Sequence, residues 1–296
     1  MKLLGFLERR LEKQVPRAAV MRWIRTGQVR VDKGRAKPFV RLAAGQVVRV
    51  PPFEPGQDTE ASGPPVPTDL DIVHQDQEIL LVNKPHGLPV QPGTRQADAV
   101  TTRLKAMFAG TPFPPTPAHR LDRDTTGLLV VARTFEALSR LHRLWRSGLV
   151  AKTYLCWVTG IPDWPDWTTL TDLLDQPGKR GRVLADQPQG KPAASTVTVL
   201  DQKKDRSLLA VRLEKTGRKH QIRVQLASRG FPILGDRKYK APPCTQGLLL
   251  HACHVGWEDR CYFLPPAWTG PLAHSSGILR DLPRLLELQA DCTLLP

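Results

Sequence analysis

Six prolines and two glycines crowd the eighteen residues 51–68, and no other feature constrains this chain as much. Proline removes backbone donors, glycine adds chain entropy, and no apolar period offers a face to bury. Neither a helix nor a sheet can run through such a stretch. The 296 residues must therefore fold as separate bodies on either side of it. The expected division is a module over 1–51, a semi-extended linker over 52–68 and a large domain over 69–296.

The first body is small and basic. Leu3, Leu4, Leu7 and Leu11 recur at helical spacing over 3–13, and Pro16 interrupts the pattern. A second helix is predicted over 17–26, with Val20, Trp23 and Ile24 inward and Arg17, Arg22 and Arg25 outward. Gly27 follows where a C-cap belongs. Two short alternating runs, at 29–31 and 47–50, flank a basic loop with Lys33, Arg35 and Lys37. Residues 1–50 hold thirteen Lys and Arg against Glu8, Glu12 and Asp32, a surplus of ten within a net charge of +15. Charge so concentrated points to phosphate contact, and hence to a nucleic-acid partner.

The second body reads as α+β. Strand-like apolar runs fall at 79–82, 128–131, 153–158, 195–200 and 208–213. Helices are predicted at 98–108, at 134–147 (Thr134 as N-cap, Leu138, Leu141 and Leu144 inward, Gly148 as the stop) and at 277–289. Strands outnumber helices and do not alternate with them, which argues against a doubly wound parallel sheet. No phosphate-cradling P-loop and no dinucleotide fingerprint is present. With no leader and no run of 18 apolar residues, neither secretion nor a membrane span is expected. Five cysteines without a C-x-x-C pair point to free thiols in a reduced, cytoplasmic setting. His251-Ala252-Cys253-His254 lacks a second ligand pair, so no metal site is expected.

Chemistry concentrates at 119–127, His119-Arg120-Leu121-Asp122-Arg123-Asp124-Thr125-Thr126-Gly127, which runs directly into the apolar 128–131. A polar knot at the edge of a core lets a carboxylate be partly desolvated and still paired with a cation. From the residues alone, three readings stay open. The segment can be a structural turn, a nucleophile or base centred on one aspartate, or a magnesium pair made by Asp122 and Asp124 as in a nuclease.

The stretch 119–130 closely resembles the signature of RluA-family pseudouridine synthases, in which a His-Arg-Leu-Asp turn presents the catalytic aspartate. Three further stretches fit that family in order: Leu81 to Leu88 (with Lys84-Pro85), Lys152-Thr153-Tyr154, and Thr216 to Arg223 followed by Gly230–Ile233 and Gly235-Asp236. The basic module resembles the RNA-binding module of ribosomal protein S4. The resemblance extends to the subgroup that modifies large-subunit ribosomal RNA. Where the family often continues Val-His after the arginine, this chain has Val224-Gln225.

The resemblance implies a pseudouridine synthase fold, a mixed and mostly antiparallel sheet with flanking helices, preceded by an S4-like module. It implies isomerisation of uridine in RNA without cofactor or metal, by a monomer, with large-subunit rRNA as partner. Asp122 takes the catalytic role, Arg223 neutralises it, Tyr154 receives the extruded uracil and Arg120 enters the vacated stack. Arg17, Arg22, Arg25, Lys33, Arg35, Lys37, Lys84, Arg218, Lys219 and His220 are the expected RNA contacts.

Overall fold

The computed structural model describes residues 1–11, 15, 17–52, 67–93, 96–174, 185–186, 188–215, 217–273 and 292–295. The chain divides into two compact units, Met1–Pro64 and Pro65–Pro296. Most of the expected linker and the helix expected at 277–289 lie outside the described residues.

In the first unit, helices α1 (Leu3–Arg10) and α2 (Arg17–Thr26) pack Leu3, Leu4, Leu7, Val20, Trp23 and Ile24 into one small core. Strand β1 (Arg30–Val31) lies between β2 (Gly34–Arg35) and β3 (Val48–Arg49), antiparallel to both. The basic loop read from the sequence is thus partly a strand, because Asp32 and Lys33 adopt positive φ and turn the chain back on itself. Arg17, Arg22, Arg25, Lys33, Arg35 and Lys37 are all exposed. Arg17 pairs with Glu8, and Arg35 donates to the Thr26 carbonyl at 3.2 Å.

The second unit is built on one sheet of eleven strands. In chain order its elements are β4 (Ile72–Gln75), β5 (Ile79–Lys84), α3 (Val100–Met107), β6 (Thr116–Pro117), β7 (Thr126–Ala132), α4 (Phe135–Ser147), β8 (Ala151–Thr159), β9 (Thr168–Leu174), β10 (Lys191–Lys203), β11 (Arg206–Leu213), α5 (Gln221–Ser228), β12 (Leu250–Trp257), β13 (Arg260–Phe263) and β14 (Thr293–Leu294). The sheet runs β4-β5-β7-β12-β8-β11-β10-β9, with β13 on β12, β14 on β13 and β6 on β7. Among the described residues, only β12–β7 and β13–β14 pair in parallel. The α+β reading therefore holds. The fully apolar faces of β5, β7 and β11 explain why those strands were legible as continuous runs.

Helix α4 is capped as its sequence predicts. The Thr134 hydroxyl accepts from the Ala137 amide at 3.1 Å, and Gly148 closes the helix in the left-handed region. Among the described residues, no helix is long and apolar enough to cross a membrane.

One strand was not read from the sequence, and one expectation fails. Leu250–Trp257, part of it read only as a rejected metal motif, is an interior strand with all eight residues buried. Its histidines are satisfied inside the core: His251 meets Thr126 Oγ1 at 2.8 Å and the Leu264 carbonyl at 3.1 Å. The reading of five free thiols is wrong, because Cys261 and Cys292 form a disulfide. They lie 31 residues apart and meet only through the β13–β14 pairing, which no local spacing reveals.

Candidate active site

The turn at 119–127 is held by its own polar groups. His119 Nε2 accepts the Val130 amide at 3.0 Å, and its ring stacks on Trp145 with centroids 4.8 Å apart. Burial and then Lys152 push this imidazole down to about 3, so it is neutral and can accept. It anchors the segment to the core. The Thr125 amide donates to the Asp122 carbonyl at 3.2 Å, closing the turn. Gly127 has φ +101° and lies against β12, where a Cβ would come within 2.4 Å of the Ala252 carbonyl oxygen. No side chain fits there, so the strand leaves the turn along a single path.

Beneath the turn sits Lys84, completely buried. Its Nζ donates to the carbonyls of Pro85 (2.7 Å), Leu88 (2.9 Å) and Arg123 (2.8 Å). Burial drives it down to about 7, with Asp124 and Asp122 pulling the other way. Three carbonyl acceptors match the three donors of an ammonium, so we assign the charged form. Lys84 was expected to touch RNA. Buried and with every donor used, it instead braces the 119–127 turn from below.

Asp122 faces a guanidinium supplied by α5. Arg223 Nη1 stands 3.3 Å from Asp122 Oδ2. The other edge of the same group is clamped by Asp236, through Nε at 2.7 Å and Nη2 at 2.8 Å. Side-chain exposure falls from 19% for Asp122 to 6% for Arg223 and 1% for Asp236. Burial disfavours the Arg223 charge, but Asp236 and then Asp122 outweigh it and raise the group above its ordinary value. Arg223 is therefore a fixed cation, aimed at Asp122 by a partner that never reaches solvent.

His220, expected as an RNA contact, is instead a buried part of the site wall. Its Nε2 is 3.9 Å from Asp122, and its Nδ1 meets the Tyr239 hydroxyl at 2.8 Å. Burial, followed by the charges of Arg223, Lys238 and Lys219, lowers it to about 3. It is neutral, so its approach to Asp122 is not an ion pair.

Asp122 lines two cavities. One, of about 480 Å³, also contains Tyr154, Thr125, Leu213, Ile222 and Lys191. The other, about 890 Å³, holds His86, Arg123, Asp124, Arg237 and Lys238. Arg120, Leu121, Lys219 and His220 border both. Arg120 and Lys219 are exposed and Arg218 is half-buried, donating to the Pro192 carbonyl. The Tyr154 hydroxyl is held above its usual range by burial, with Asp122 and Cys253 adding to it, so it stays protonated. Asp124 lines the larger cavity together with Asp122 but is held by a different cation. Burial would raise its carboxyl, but hydrogen bonds from Arg123 at 2.9 and 3.2 Å hold it low. With each carboxylate on its own guanidinium, the magnesium pair is not assembled.

The sequence reading did not foresee Lys84 as a brace or Asp236 as the clamp, although both stand in stretches it singled out. It also missed what Gln225 does. That side chain points away from the cavity and is fully buried. It accepts from Ser195 Oγ (2.7 Å) and donates to Asp172 (2.8 Å) and to the Leu170 carbonyl (3.0 Å). The glutamine thus ties α5 to β9 and β10.

This turn, its buried arginine and the strand tyrosine occur in a chain whose residues 78–228 match the family model described as RNA pseudouridylate synthase. The chain belongs to that family; it is an RNA pseudouridine synthase, and the resemblance read from its four motifs is borne out. It is similar to the ribosomal large subunit pseudouridine synthase C of Pasteurella multocida (strain Pm70), with 35% identity over 236 residues, 77% of this chain and 71% of the relative. The protein of the same name from Vibrio vulnificus (strain CMCP6) is 31% identical over 298 residues, 96% of this chain and 91% of the relative. Among solved structures, human RNA pseudouridylate synthase domain containing 4 aligns with TM-score 0.52 and 26% identity, covering 62% of this chain and 82% of that one.

Proposed function

We propose that this enzyme converts uridines of large-subunit ribosomal RNA to pseudouridine, with Asp122 as its catalytic group. The observation that carries the reading is the position of Asp122: it lines the cavity that holds Tyr154, and it is faced by Arg223, clamped by Asp236, from the larger cavity on its other side. The substrate class is that of the relatives, which act on the large ribosomal subunit by name.

The reaction breaks the glycosidic C–N bond, turns the uracil and joins C5 to the sugar. Nothing is oxidised and no outside group enters. A carboxylate can begin it by attack on the sugar, by attack on the base, or by taking a sugar proton, and an ionised Asp122 serves each route. Arg223 is the nearby cation such a carboxylate needs when water is excluded. The uridine must first leave its stack, at a cost of roughly a few kcal/mol. Stacking on Tyr154 would return about 1–3 kcal/mol. Arg120, exposed at the border of both cavities, is suited to fill the gap left in the RNA. Lys219 and Arg218 would hold flanking phosphates. The enzyme is read as a monomer, and a ribosomal substrate supports a cytoplasmic setting.

The test is to map pseudouridine in ribosomal RNA from cells lacking the protein. Large-subunit positions should revert to uridine and return when the gene is restored. A map identical to wild type would refute the assignment.

The unit Met1–Pro64 is read as an S4-like RNA-holding module. Deleting residues 1–55 should weaken binding to large-subunit rRNA fragments and flatten its salt dependence. The slope of log K against log salt becomes shallower by about 0.9 for each duplex phosphate that is no longer neutralised, and by about 0.7 for each single-strand phosphate. Filter binding across a salt series reads this out. An unchanged slope would remove the module from the RNA interface.

A further inference from the structure

Away from the Asp122 cavities, β12, β13 and the segment leading into β14 bring three reactive side chains together. Cys261 on β13 is bonded to Cys292, immediately before β14. His254 on β12 places Nε2 3.4 Å from Cys261 Sγ. Cys261 and His254 are buried, and Cys292 is half-buried. A cavity of about 470 Å³ reaches Cys261 but not Cys292. It is bordered by Lys152, Arg212 and His254, together with Glu214 and Glu258, and shares only Leu213 with the Tyr154 cavity.

The other thiols lack this combination. Cys156 and Cys253 are buried, and burial raises both thiols well above their ordinary range. Cys244 borders the larger Asp122 cavity and has no cysteine partner. Only Cys261 has an access path, an adjacent imidazole and a resolving thiol.

The bond also holds a structural element that makes few other contacts among the described residues. Strand β14 pairs with β13 through Tyr262–Thr293 and Phe263–Leu294 alone. The Leu295 amide donates to the Phe263 carbonyl at 2.8 Å, and the Leu295 side chain is buried against the core. Two rungs and one leucine make a weak strand, and releasing it would bare the edge of β13.

We propose that Cys261 and Cys292 form a thiol–disulfide exchange site for small-molecule disulfides, with glutathione disulfide as the probe, and that its redox state decides whether 292–295 stays paired to β13. In the reduced protein, the Cys261 thiol is oriented by its contact with His254 Nε2, and its sulfur attacks one sulfur of the disulfide RSSR as its proton passes towards the departing group. The S–S bond breaks, RS⁻ leaves and takes up that proton, and Cys261–S–SR remains. Cys292 then attacks Cys261 Sγ, expels the second RS⁻ and surrenders its own proton to it. Two protein thiols and one RSSR become one protein disulfide and two RSH.

The experiment uses the full chain and oxidised glutathione. In reduced Cys292→Ser, peptide mass spectrometry should find one glutathione on Cys261. In Cys261→Ser, Cys292 should be modified at least about tenfold more slowly, since it lacks the cavity and the imidazole. In wild type, glutathione disulfide should close the protein bond. Closure should slow deuterium exchange over 293–295 and at Phe263, whose backbone faces β14, by about tenfold or more relative to reduced protein. Isomerase activity of Cys292→Ser, remote from Asp122, reports that this variant is folded, and the wild-type comparison needs no variant. Three results would overturn the proposal: Cys261 left unmodified in Cys292→Ser, equal exchange over 293–295 in both redox states, or stoichiometric zinc held by reduced wild type that blocks closure.

Discussion

The Asp122→Asn variant is expected to fold, to bind RNA with wild-type affinity and to form no measurable pseudouridine. Asparagine keeps the shape of the side chain and leaves the backbone carbonyl that accepts from Thr125 untouched. Arg223 keeps both bonds to Asp236, so no buried cation is stranded. What disappears is the negative charge that the proposed reaction needs at its start. Losing a central catalytic group of this kind lowers turnover by roughly four orders of magnitude or more. Tritium release from RNA labelled at C5 of uridine measures it directly, because that hydrogen leaves when C5 joins the sugar. Wild-type release by the variant, with circular dichroism unchanged, would remove Asp122 from the mechanism.

How much of this site could be read in advance follows from where its information lies. The turn at 119–127 was legible because a dense polar run abuts an apolar strand. Helix α4 was legible because its cap, its inward leucines and its closing glycine all agree. Helix α5 carries no such signal. Every residue from Gln221 to Leu226 is buried, so it has no polar face, and its glutamines and arginine are satisfied by partners on β9, β10 and beyond. The same cause hid β12, whose histidines find their acceptors only in the assembled sheet. Lys84 was misassigned for a related reason. A lysine is ordinarily a surface cation, and only the backbone path of 84–88 and 123 reveals three carbonyls converging on its ammonium.

Asp236 is where stability and function meet, because its loss strands a buried cation beside Asp122. Asp236→Asn keeps an oxygen to accept from the Lys238 and Tyr239 amides, which now donate to Oδ1 at 3.2 and 3.3 Å. The local turn therefore survives, and the variant isolates the charge. Arg223, only 6% exposed, would then be left with Asp122 as its one carboxylate partner among the described residues. Breaking one side of a buried ion pair costs about 3–5 kcal/mol, much of it the desolvation of the charge that remains. Urea unfolding should show a loss of that order. The guanidinium, no longer clamped, should also swing towards Asp122 and pair with it more tightly, so isomerisation slows even at temperatures where the variant is folded. Pairing the change with Arg223→Met should recover much of the stability and none of the activity, because the stranded charge is gone and so is the cation beside Asp122. A loss below about 0.5 kcal/mol for Asp236→Asn, typical of a surface substitution, would show that Asp236 is not what holds Arg223 in place.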